Sequence, residues 1–430
     1  MQEFTAVVLA AGRGKRMKRS SPKVLCELSG RPLIYYVLSE LLKLKKQVKQ
    51  IIVVVGYKGS QVEKAIKRDF NKEFKGSTKI NLVRQEKMLG TADAVKTARK
   101  KIKHSNVLVL CGDAPLVTSK VLAPFLFFFL RKKLSSCVLT ADMGEKNSLG
   151  SIVRDKDGKI MAIREKLSSA NTEKGIMHPE VNSGIYCFKK KVLLKSLPKI
   201  RINKKKREYF LTDTIEVLYK NNEKQGAYFL DDSDYILGIN SPRDLFKAQK
   251  VLQLRLIEEF AQKGVEFIDP FTTYIQEGVK IGKNTIIYPF TYIEKGVIIG
   301  NNCALGPFIR LREGTVIEDN TQAGNFLEIN RTKIGKDVRI KHFGYLGDAF
   351  VEDSANIGAG VVVANFDGKS KNKTYIKKGA FVGSDTVLIA PVTIGKEAVT
   401  GAGSVVTKNV KQKSVVAGVP AKPLKKKKRG

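Results

Sequence analysis

Apolar positions follow two rhythms along this chain, and the change comes near Ser241. Before it, short apolar runs alternate with helix-like stretches. Residues 4–9 read as a buried strand that breaks at Ala10-Ala11-Gly12 into a loop, and a helical stretch follows over 32–44. Similar runs recur at 51–55, 107–110 and 185–188. This alternation predicts an α/β, Rossmann-like domain: a mostly parallel sheet with helices on both faces and ligands at the carboxyl ends of the strands. At Ser241 an N-cap, a proline at the first helical position (Pro242) and an acid in the first turn (Asp244) predict a helix. Leu245, Ala248 and Leu252 supply its apolar stripe, and Gly264 its stop.

Beyond the helix every sixth residue is aliphatic: Ile275, Ile281, Ile287, Ile293, Ile299, Leu305, Leu311 and Ile317. After a slip the spacing resumes at Ile334, Ile340 and Leu346, and again at Ile376, Val382, Leu388 and Ile394. That period belongs to a parallel β-helix, whose coils stack these side chains into an interior column. The clearest interruption lies between Val363 and Ile376 and holds Asn365-Phe366-Asp367-Gly368. The expected organisation is a first domain over 1–240, a connecting helix over 241–264, the β-helix over 265–418 and a basic tail over 419–430.

A chain of 430 residues fits this two-domain reading. The longest apolar run, 121–130 with its three consecutive phenylalanines, falls well short of the roughly 20 residues that cross a bilayer and predicts a buried helix. Nothing at the N-terminus reads as an export signal. The 5 cysteines are scattered without a C-x-x-C pair, so reduced thiols and a cytoplasmic protein are expected. The net charge of +37 raises nucleic-acid binding as a rival role. Its lysines are dispersed, however, and no recognition module with interleaved aromatics accompanies them, so a solvated surface that helps gather phosphorylated substrates is the better account, with no specific nucleic-acid partner.

Candidate chemistry begins in Leu9-Ala10-Ala11-Gly12-Arg13-Gly14-Lys15-Arg16-Met17, followed by Pro22-Lys23-Val24-Leu25. Glycines after a strand let backbone N–H groups approach phosphate oxygens, while Arg16 and Lys23 counter negative charge. The third glycine of the dinucleotide fingerprint and the G-K-[ST] ending of the P-loop are both missing. Cys111-Gly112-Asp113 ends another strand, and a lone aspartate there serves equally as a magnesium ligand beside bound phosphates or as a turn former.

In order, L-A-A-G-x-G-x-R-M, P-K-V-L, L-G-T-A-D-A, G-D-x-P-L, N-S-G and L-T-D resemble the sugar-1-phosphate nucleotidyltransferases. In the second half, Gly306-Pro307-Phe308 with Leu311-Arg312, Gly324-Asn325-Phe326, Tyr345-Leu346-Gly347-Asp348, Asn356-Ile357-Gly358-Ala359-Gly360 and Val382-Gly383-Ser384-Asp385-Thr386 extend the likeness. Nearly the whole chain thus resembles the bifunctional N-acetylglucosamine-1-phosphate uridyltransferase/glucosamine-1-phosphate acetyltransferases. The resemblance implies a left-handed β-helix, a homotrimer that builds each acetyl-transfer site between neighbours, and UDP-N-acetylglucosamine as product. Leu9, Ala10, Ala11, Gly12, Gln85, Gly90 and Thr91 would then hold UTP, and Gly150, Glu165, Asn182 and Thr212 the N-acetylglucosamine 1-phosphate. Asp113 and Asn240 would hold Mg²⁺, with Arg16 and Lys23 catalytic.

In the acetyl half the resemblance makes His342 the general base toward acetyl-CoA, a role imidazoles commonly fill in proton transfer. It assigns Arg312, Tyr345, Asn356 and Lys371 to glucosamine 1-phosphate, and Asn365, Phe366, Ser384 and Ala402 to acetyl-CoA. Five positions depart from the family pattern. Met88 stands for a glutamine and Cys111 for a tyrosine near the nucleotide. Asn330 stands for a phosphate-binding lysine, for which Arg331 or Lys333 could substitute, Phe366 for a tyrosine, and Gly418 for an arginine. A uridyltransferase with the β-helix as a trimerisation scaffold is the alternative.

Overall fold

The computed structural model describes residues 2–76, 78–144, 149–164 and 180–424, and of Lys15 its backbone alone. They form two compact units, divided between Gln249 and Lys250.

In the first unit the strand Phe4–Ala10 lies in the interior of the sheet because it is apolar on both faces. Ala6, Val8 and Ala10 enter one hydrophobic core and Val7 the other. The sheet order is Gln225–Leu230, Ser136–Asp142, Glu180–Lys189, Asn106–Cys111, Phe4–Ala10, Val48–Val55, Lys79–Arg84. The central pairings are parallel, as the alternation predicts. The strand that contains 185–188 is longer than its apolar run and antiparallel to both neighbours, which makes the sheet mixed. The phenylalanine-rich run is the helix Ser119–Arg131; Phe125 and Phe129 are buried, and Phe127 faces solvent. Among the described residues no helix is long and apolar enough to span a membrane. None of the five cysteines is in a disulfide, and burial pushes the Cys137 thiol up to about 12, so it stays a thiol.

The helix Pro242–Gln262 starts with a reciprocal cap. Asp244 N–H donates to Ser241 Oγ, and the Asp244 carboxylate accepts from the Ser241 N–H. It stops at Gly264, whose φ of +87° favours glycine.

The second unit is a parallel β-helix of three sheets with ten, eight and seven strands. Ile287, Ile293 and Ile299 fall on successive sheets and are all buried, so a six-residue period is one face of the coil and three faces close a turn. The slip in the pattern has a local cause. Leu311 pairs with Ile329 but Ile317 pairs with Ile334, so one residue is lost at the corner between them. Arg331 turns that tight corner at φ +48°. The longer interruption forms a loop on the same edge. It is held by the Asp367 carboxylate, which accepts from the Lys369 and Ser370 N–H groups and from Asn372 Nδ2.

Candidate active sites

The phosphate loop leaves the carboxyl end of Phe4–Ala10. Leu9, Ala10 and Ala11 bind it to the sheet: Gly112 N–H donates to Leu9 O, and Tyr57 N–H to Ala11 O. Gly12 is exposed, and a Cβ added to it would meet nothing within 4 Å, so the fold itself makes no use of a glycine there. Gly14 is different. At φ +65°, a Cβ on it would lie 2.6 Å from the stem of Lys23, so the loop closes directly on that lysine. Arg16 stands exposed on a single 3-10 turn, Lys15–Met17.

The Lys23 ammonium forms a salt bridge with Asp113 and donates to Asn240 Oδ1 at 2.9 Å. Both lysine and aspartate side chains are largely buried, with 13% and 17% exposure. Asp113 arrives from the strand Asn106–Cys111, and its carbonyl accepts from Ile239 N–H, which pins the two chain segments together. A carboxylate oxygen and an amide oxygen thus converge on one cation. Both are hard donors of the kind Mg²⁺ takes, so the pair fits that ion. Among the described residues no cluster of three His, Cys, Asp or Glu side chains could hold a metal without such help.

In the same unit, Gln85 is anchored by its N–H on Val55 O and donates its amide to Gly90 O and Asp93 Oδ2. Gly90 has φ +101°, and a Cβ there would sit 2.5 Å from Tyr209 O, so glycine is dictated by close backbone approach. The Thr91 hydroxyl accepts from Leu211 N–H and ties this turn to the segment that ends in Thr212. Gly150 O accepts from Asn182 N–H, and the Asn182 amide bonds Tyr186 Oη and Gly184 N–H. Thr212 Oγ1 is buried without a hydrogen-bond partner among the described residues. Met88 is exposed and Cys111 half-buried. Glu165 lies outside the described residues.

On the β-helix the candidate residues sort by edge. Arg312, Asn365, Phe366 and Lys371 follow strands of the eight-stranded sheet and precede strands of the seven-stranded one, Asn330 ends a strand of the eight-stranded sheet at the same edge, and Tyr345 lies on the eight-stranded face beside them. His342, Ser384 and Ala402 occupy the edge between the ten- and eight-stranded sheets. There Gly403 N–H donates to Ser384 O, and Gly360 N–H to Phe343 O, which links the turns in a column. His342 is exposed. Asn356 lies on the ten-stranded face, apart from the phosphate group of residues.

The first edge is organised by Asp348. It accepts two hydrogen bonds of 2.7 Å from Arg331, and one from Asn365 Nδ2. The Arg331 guanidinium beside it holds the Asp348 carboxyl below the usual carboxylate range. Arg331 also donates to Asn330 Oδ1 at 2.9 Å. A Cβ on Gly347 would collide with the Tyr345 hydroxyl and lie 2.8 Å from Asn365 Nδ2, so bare backbone is what lets those side chains meet. Arg312 donates to Glu328 at 2.9 Å. The two cations that could stand in for the missing lysine are both engaged: Arg331 on Asp348, Lys333 with Glu318 at 2.8 Å. The clamp of Arg331 on Asp348 escaped the sequence reading, because its signal, an arginine at a lost residue of the period, was legible only as a slip.

Such a fold pair, a phosphate loop on a mixed α/β sheet and a hexapeptide β-helix, defines a two-domain transferase. The nucleotidyl transferase family matches residues 5–253, and the bacterial transferase hexapeptide family, six repeats, matches 273–308. The bifunctional protein GlmU of Acetivibrio thermocellus is 36% identical over 450 residues, 96% of this chain and 95% of the relative. That of Pseudothermotoga lettingae is 37% identical over 438 residues, 94% and 93% of the two chains. The chain belongs to the bifunctional GlmU family, and it makes UDP-N-acetylglucosamine by acetyl transfer and uridylyl transfer.

Proposed function

We propose that the two activities reside in residues 1–240 and 265–418, joined by the 241–264 helix, and that the residues described above carry them. In the first, Leu9 to Gly12, Gln85, Gly90 and Thr91 hold UTP. Gly150, Asn182 and Thr212 orient N-acetylglucosamine 1-phosphate, together with Glu165. A phosphate oxygen of the sugar attacks the α-phosphorus of UTP, and the bond to pyrophosphate breaks in line. Lys23 and Arg16 neutralise the charge that grows on the phosphoryl oxygens, and no protein nucleophile is needed. Asp113 and Asn240 would hold Mg²⁺, which when bound screens the triphosphate and favours pyrophosphate as leaving group.

The observation that carries this reading is the convergence of Asp113 and Asn240 on the Lys23 ammonium at the foot of the phosphate loop. Chelation with EDTA, followed by stepwise return of Mg²⁺, tests it. Uridylyl transfer should vanish and recover; activity that persists in EDTA contradicts it.

In the second half, His342 takes the proton from the amine of glucosamine 1-phosphate as the amine attacks the thioester of acetyl-CoA and coenzyme A leaves. Arg312, Tyr345, Asn356 and Lys371 grip the sugar phosphate, and Asn365, Phe366, Ser384 and Ala402 meet the coenzyme. These residues fall on two edges and a further face of one β-helix, which supports a homotrimer in which neighbouring copies complete each site. UTP and acetyl-CoA are intracellular metabolites, and five thiols outside any disulfide accord with a cytoplasmic enzyme.

A further inference from the structure

We propose that Asp93 is a specificity-determining residue: by holding Gln85 in one orientation it makes the enzyme read the N3–H of uracil. The inference rests on Gln85 meeting the base. Gln85 Nε2 donates to Asp93 Oδ2 at 2.7 Å and to Gly90 O at 3.2 Å. A carboxylate and a carbonyl can only accept, so the amide nitrogen must face them and the orientation is forced. Both of its N–H groups are then used.

What remains for a ligand is Oε1, a pure acceptor on a side chain that is 4% exposed and anchored through its own N–H on Val55. Uracil offers a donor, N3–H, between its two carbonyls. Cytosine presents a bare acceptor at N3, which would face the Gln85 oxygen with neither partner satisfied. Such a mismatch in a buried site lowers kcat/KM on the order of 10²-fold. Asp93 sits in the first turn of the helix Thr91–Ala98, where the helix field favours a carboxylate, and Thr97 Oγ1 donates to its backbone carbonyl. Without the carboxylate, one Gln85 N–H loses its partner, and the amide can turn to offer a donor to the base.

The test is kcat/KM with UTP and with CTP, measured on the full chain and on Asp93→Ala, Asp93→Asn and Gln85→Leu. Asp93→Ala should narrow the preference for UTP about tenfold, chiefly through a raised KM for UTP with kcat nearly unchanged. Asp93→Asn keeps an oxygen acceptor in place and should hold the ratio within about threefold. Any other pattern between these two variants overturns the proposal. If Gln85→Leu collapses the ratio while Asp93→Ala leaves it intact, Gln85 reads the base without help from Asp93. If Gln85→Leu also leaves the ratio intact, the base is read elsewhere, and the assignment of Gln85 fails with it.

Discussion

The Lys23 ammonium is salt-bridged to the Asp113 carboxylate, at the point where the phosphate loop meets the next parallel strand. Two opposite charges that are both largely buried are retained at a cost in desolvation, which is reasonable where each has a second task. Asp113→Ala removes the one carboxylate of the set. Uridylyl transfer should fall by at least about 10²-fold, the scale on which preorganised charge stabilisation of a transition state is lost. Acetyl transfer, measured on the same preparation, should be unchanged; near-normal uridylyl turnover would remove Asp113 from the mechanism.

Gly12 and Gly90 make opposite predictions although both stand in matched motifs. A methyl group at Gly12 meets open space, whereas at Gly90 it meets Tyr209 O in a backbone conformation that favours glycine. Gly12→Ala should leave stability within about 0.5 kcal/mol, and raise KM for UTP about tenfold because the nucleotide loses backbone approach. Gly90→Ala should cost about 1–3 kcal/mol in stability as well as activity. Thermal unfolding and UTP kinetics on both variants separate the two; equal stability losses would contradict the ligand role of Gly12.

Much of this was legible in the sequence, because two strong periods dominate it. The column through Ile275 and Ile317 could hardly arise in another fold, and Ser241-Pro242 with Asp244 marked a helix start by local chemistry alone. The antiparallel course of Glu180–Lys189 was not legible, since a strand apolar on both faces looks the same in either direction. Nor was the division of the acetyl residues between edges. Spacing puts His342 beside Tyr345, while His342 sits in a corner and Tyr345 on the eight-stranded face that follows it. Arg331 looked like a free cation and is clamped on Asp348, a pairing that depends on a tightened corner.

His342 should act as the base of acetyl transfer alone. His342→Ala is expected to lower kcat for acetylation by roughly 10²-fold or more, the usual contribution of general-base catalysis, and to leave uridylyl transfer untouched. A thiol-release assay with acetyl-CoA reads the first and pyrophosphate release the second. An unchanged kcat for acetylation would relegate this exposed histidine to the surface.

At the proposed acetyl site Asn330 supplies no cation, and Arg331 and Lys333 already have carboxylate partners. A charge-assisted contact is worth about 1.5–3 kcal/mol, so its loss should appear in KM for glucosamine 1-phosphate more than in kcat. Asn330→Lys should lower that KM by about tenfold or more. A KM that does not move would mean the phosphate is held elsewhere.

One incubation tests both activities together: the purified chain with UTP, glucosamine 1-phosphate, acetyl-CoA and Mg²⁺, with each omitted in turn. The full mixture should yield UDP-N-acetylglucosamine, pyrophosphate and coenzyme A. Without UTP, coenzyme A should still be released; without acetyl-CoA, no UDP-N-acetylglucosamine should form unless N-acetylglucosamine 1-phosphate is supplied. A chain that uses N-acetylglucosamine 1-phosphate but never consumes acetyl-CoA with the free amine would contradict the pairing of the two activities.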